Sequence, residues 1–74
     1  MAHPYSSIAH PELDFCVRRE GNLFLLTALS DRALAWEEEH LPPDRMTFGR
    51  ATVVDQHYMR AIACAIVTDG LLIQ

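Results

Sequence analysis

The stretch from Asp55 to Gly70 constrains the fold more than any other. Asp55-Gln56-His57-Tyr58-Met59-Arg60-Ala61-Ile62-Ala63-Cys64-Ala65-Ile66-Val67-Thr68-Asp69-Gly70 opens on a capping carboxylate, repeats apolar residues at helical spacing and closes on glycine. At about 100° per residue, Tyr58, Met59, Ile62 and Ile66 share one quadrant of the wheel, while Ala61, Cys64, Ala65 and Thr68 gather on a second face. A helix with two buried faces needs two neighbours. The first face should anchor it to a sheet, and the small residues of the second should admit close approach by another element or another molecule.

The rest of the chain has to supply that sheet. Leu13, Phe15 and Val17 alternate with Asp14, Cys16 and Arg18, the period-two pattern of a half-buried strand. Glu20-Gly21-Asn22 reads as a turn, and Leu23-Phe24-Leu25-Leu26-Thr27-Ala28 as a second strand covered on both sides. Ser30 is an N-cap, with Leu29 and Leu34 placed as a hydrophobic staple, so a helix should run from Asp31 to just before Pro42-Pro43. On it Ala33, Leu34, Trp36, His40 and Leu41 form an apolar arc with Glu37 near its middle, and Trp36 is the foremost core candidate. Arg50 to Val54 predicts a third strand, and Leu71 to Gln74 a short final one after a Schellman closure at Asp69-Gly70.

The resulting order is β-β-α-β-α-β, an α+β fold with a small mixed sheet of three to four strands and two helices. Residues 13–74 form a single domain, and residues 1–12, with Ala-His-Pro at 2–4 and again at 9–11, an extended arm. A chain of 74 residues buries only about 60% of its unfolded surface, so apolar area should remain outside. If crossovers link neighbouring parallel strands, both helices fall on one face of the sheet and the other face is left bare.

Charge and chemistry exclude several functions. A net charge of −4, with six arginines and no lysine, removes the main driving force for phosphate binding, so no direct nucleic-acid partner is expected. No apolar run approaches the about 20 residues that span a bilayer, and no basic leader precedes one, which points to a cytoplasmic protein without a membrane partner. Cys16 and Cys64 lack CxxC spacing and read as reduced, packed thiols. His3 and His10 have no companion ligands, and Glu37-Glu38-Glu39-His40 does not match the HExxH spacing of a zinc site. Glu37, His40 and His57 are the groups that an enzyme reading would need to converge.

Leu26-Thr27-Ala28-Leu29-Ser30, then Ala33 and Trp36 with Glu38-Glu39-His40-Leu41-Pro42, Phe48-Gly49, Val53-Val54, Tyr58 and Asp69-Gly70-Leu71 carry a resemblance. In these features the chain resembles a type of short bacterial and phage-encoded protein of uncharacterised function, from Leu23 to Ile73. The resemblance implies one domain with this segmentation and supplies no catalytic residues. The sequence departs from it at Ala51, where a second small residue tends to follow Phe-Gly, and before Leu13.

The expected function is a non-enzymatic protein-interaction module without cofactor or metal, self-associating as a homodimer. Its expected contact residues are Ala61, Cys64, Ala65 and Thr68 on the helix, Phe24 and Leu26 on the sheet, and Met46 and Phe48 in the loop after Pro42-Pro43. Phe48 either plugs the small core or stands out as a binding tip, and the shortage of core favours the plug. The alternatives are a phage-type regulator that docks its acidic surface on a basic host protein and, third, a small enzyme.

Overall fold

Gly21 sets the first reversal of the chain, at φ 61°, as the first central residue of a two-residue hairpin requires. The computed structural model describes residues 13–74, and the arm expected at 1–12 lies outside the described residues. Strand β1 (Phe15–Glu20) and strand β2 (Leu23–Ala28) pair antiparallel from Phe15 with Ala28 to Glu20 with Leu23. Helix α1 (Asp31–His40) starts where the Ser30 side chain accepts the Ala33 N–H at 3.1 Å. A two-residue strand β3 (Thr47–Phe48) and strand β4 (Ala51–Asp55) follow, then helix α2 (Gln56–Thr68), capped where Asp55 accepts the His57 N–H at 2.8 Å.

The four strands form one antiparallel sheet in the order β1-β2-β4-β3. The C-terminal segment adds one isolated parallel bridge beside this sheet, between Ile73 and Phe15, with the Val17 N–H donating to the Gln74 carbonyl at 2.9 Å. The expectation of neighbouring parallel strands fails between β2 and β4, which pair antiparallel from Leu23 with Asp55 to Thr27 with Ala51. Strand β3 is the cause. It turns back into β4 through Gly49, whose φ of 61° permits a tight reversal, and this added reversal flips the direction of β4.

Both helices nevertheless cover one face. Phe15, Leu26, Ala28 and Val54 from the sheet pack with Ala33 and Trp36 of α1, Met59 and Ile66 of α2, and Leu71 beyond it. Trp36 meets Phe15 edge-on at 5.8 Å, an arrangement that ring quadrupoles favour. On α2 the packing stripe is Met59, Ile62, Ala63 and Ile66, at i, i+3, i+4 and i+7. Tyr58, expected to anchor this helix, is instead 67% exposed, because the stripe centres on Met59 and the side chain one residue back is rotated off it. The helix ends in a full Schellman closure: the Leu71 N–H donates to the Ile66 carbonyl at 3.1 Å, the Gly70 N–H to that of Val67 at 3.0 Å, and φ of Gly70 is 86°. Among the described residues, no helix is long and apolar enough to cross a membrane.

Candidate interaction surface

Side chains alternate across a strand, so the residues between those in the core point to the sheet's other face. The register sets them in rows: Phe48, Ala51, Thr27 and Cys16 in one, then Val53, Leu25 and Arg18, then Asp55, Leu23 and Glu20. The Val53 N–H donates to the Met46 carbonyl at 2.9 Å, which places Met46 at the end of the second row. Neither helix contributes to this side. A channel of about 490 Å³ runs over it, floored by Leu23, Leu25 and Val53, with Met46 and Phe48 along one flank and Arg18 and Glu20 along the other.

Phe48 and Met46 are 71% and 69% exposed, so Phe48 is a projecting side chain and does not plug the core. Pairing of β3 with β4 directs Phe48 to the face away from the helices. Arg18 and Glu20 pair at 2.7 Å and leave their edge of the channel locally neutral.

The other residues expected to make contacts are placed differently. Leu26 is fully buried under the helices, and Phe24, on the same side of β2, is half-buried with the Arg19 guanidinium 5.7 Å from its ring centre. A one-residue step along β2 separates them from the open face, where Leu23 and Leu25 stand in their place. Ala61, Cys64 and Thr68 are exposed to solvent, whereas Ala65 is half-buried against the core, so most of the second face of α2 is open among the described residues. A second cleft, of about 440 Å³, lies on the helix side, where Tyr58, Ala61 and Ile62 of α2 face Leu41, Met46 and Val54.

The polar groups form separate clusters. Glu37 is 4% exposed, with the Thr52 hydroxyl 3.5 Å from one carboxylate oxygen and the Arg45 guanidinium 3.9 Å from the other. Burial pushes its carboxyl up, against the pull of Arg45. His40 stacks on Trp36 at 4.4 Å and lies 3.6 Å from Asp69, whereas the His57 ring is 2.7 Å from Asp55. The His57 backbone N–H and then its ring lower the Asp55 carboxyl. Glu37, His40 and His57 thus have different partners, and among the described residues no group of three or more His, Cys, Asp or Glu is placed to hold a metal ion.

Glu37 gives a first prediction. Its folded carboxyl titrates above its ordinary 4.5, so its contribution to stability is complete below that value and is lost as pH rises through the folded one. Glu37→Gln should then leave stability at neutral pH unchanged or raise it by about 1 kcal/mol, and should flatten the decline between mildly acidic and neutral pH. Urea unfolding at both values tests this. A loss above about 1 kcal/mol at both would mean that attraction to Arg45 outweighs burial.

No protein-family model, curated protein or solved structure matches the chain.

Proposed function

We propose that the chain is a non-enzymatic interaction module that self-associates through the open face of its sheet. One observation carries this reading: both helices pack on one side of a four-stranded sheet, and the other side keeps an apolar floor with a channel across it. Large apolar patches rimmed by polar groups mark association sites, and a domain this small gains from covering one. The small-residue face of α2 is a poorer candidate, since Ala61, Cys64 and Thr68 offer little apolar area.

Size-exclusion chromatography with light scattering, from micromolar to several hundred micromolar, tests the reading. The mass should move from monomer to dimer over this range. Leu23→Arg, which sets a charge on the channel floor, should hold the chain monomeric without unfolding it, because Leu23 is already partly exposed. A monomeric mass throughout for the unaltered chain would overturn the reading, as would a dimer that Leu23→Arg leaves unchanged.

A further inference from the structure

We infer that the channel on the open face is filled by this chain's own residues 4–11, laid back along the sheet from Leu13, and that a second copy binds by displacing them. The displacement rests on the self-association reading; the seating of the segment does not.

Area selects the occupant. Four strands about 4.8 Å apart, with five residues at about 3.3 Å, give a floor of roughly 14 by 17 Å. That is far below the about 800 Å² that each partner gives to a standard interface, so a second copy is held weakly. It is the size of one extended segment, since roughly 17 Å takes about five to six residues at about 3.1 Å each. Met46 and Phe48 stand along one flank as a wall for such a segment.

Length and entry point fit as well. The Asp14 and Phe15 N–H groups both donate to the Leu72 carbonyl and Phe15 pairs with Ala28, so the chain enters the sheet beside the row of Thr27 and Cys16. The twelve residues before Leu13 reach at most about 40 Å when extended. Ile8 lies five residues before Leu13 and Arg18 five after it, while Tyr5 lies eight before and Glu20 seven after. A chain that doubles back at Leu13 therefore carries Ile8 to the row of Arg18, Leu25 and Val53, and Tyr5 to the row of Glu20, Leu23 and Asp55. These two rows supply Leu23, Leu25 and Val53, the channel floor. In the polyproline conformation, which suits Pro4 and Pro11, the period is three, so Tyr5, Ile8 and Pro11 share one side and Ser6 and Ser7 take the others.

Charge favours this segment over a second copy. The face carries Glu20 and Asp55, and a mate would bring the same two carboxylates on a chain of net charge −4. Residues 1–11 contain no carboxylate.

Isotope-filtered NMR of the full chain tests the seating. NOEs from the Tyr5 ring and the Ile8 methyls to the methyls of Leu23, Leu25 and Val53 should arise within one copy, and Ile8→Asp, which brings an acid toward Glu20 and Asp55, should abolish them. Sedimentation equilibrium tests the displacement. With the segment seated in at least about two thirds of copies, both faces of a pair are open at most about one time in nine, so Ile8→Asp should tighten the dimer at least about nine-fold. NOEs that arise only between copies would overturn the seating and give the channel to a second copy; their absence would overturn it and leave the channel to a foreign chain. NOEs within one copy with an unchanged dissociation constant would overturn the displacement alone. No dimer in either chain would overturn the self-association reading and the displacement with it, while NOEs within one copy would still support the seating.

Discussion

Replacing Asp14 with alanine is expected to lower stability by about 2–3 kcal/mol, which in a domain of this size means a fall in melting temperature of roughly 10–20 °C. The carboxylate is 2% exposed. It accepts the Ser30 hydroxyl at 2.6 Å, Arg32 Nε at 2.9 Å, Arg32 Nη2 at 2.7 Å and the Leu72 N–H at 2.8 Å. These bonds tie the entry to β1, the first turn of α1 and the C-terminal segment into one corner. The Arg32 side chain is 61% exposed, so solvent screens its share. The rest of the cost comes from the Leu72 N–H and the Ser30 hydroxyl, which would lose their acceptor in a part-buried corner.

The sign of the pH dependence follows from the same bonds. Arg32 foremost, then Ser30 and Leu72, hold the Asp14 carboxyl well below its ordinary 3.8, against the opposing effect of burial. The unfolded chain therefore takes up the proton first, so the contribution is complete above about 3.8 and is lost as pH falls toward the folded value. Thermal melts from neutral pH to about pH 2 should show the original chain losing more stability than Asp14→Ala, with the gap narrowing in acid. A variant that melts within about 3 °C of the original at neutral pH would show that the corner adds little.

Asp14 also marks where reading the sequence stops. The hairpin, the two helices and their ends were legible because their determinants are local: Ser30 and Asp55 cap within three residues, and Gly70 closes α2 on its own last turn. The partners of Asp14 lie 16, 18 and 58 residues away, and nothing in the alternating pattern around Leu13 announces them. Strand order is non-local for the same reason. Two residues of β3, within a loop rich in turn formers, reverse the chain and change the pairing of β4.

The candidate surface was half legible. The two-sided apolar character of Leu23 to Ala28 was plain, but which side the helices take depends on register, and a one-residue step exchanges Phe24 and Leu26 for Leu23 and Leu25. Glu37 carried a usable signal, since the helical wheel set it within the apolar arc of Ala33 and Trp36, the two residues buried beside it. The acidic neighbours Glu38 and Glu39, both exposed, concealed it.

Trp36→Ala should be the most damaging single change in the core, at about 3–5 kcal/mol out of the about 4–11 kcal/mol available to a chain this size. The indole lies against Phe15, stacks on His40 and donates Nε1–H to Asp69 at 2.7 Å. That last bond explains a residue otherwise badly placed. Asp69 is the C-cap of α2, where the helix dipole disfavours a negative charge, and the donor from the middle of α1 compensates by tying that helix to the end of α2. Trp36→Phe separates the effects: it keeps most of the apolar volume and removes the donor, for an expected loss of about 1–2 kcal/mol. In a cycle with Asp69→Asn, the losses should fall short of additive by about 0.5–1 kcal/mol, a modest coupling because Asp69 is partly exposed. Strict additivity would mean that Trp36 acts through volume alone, and that Asp69 is held at the helix end by the Schellman turn without help from α1.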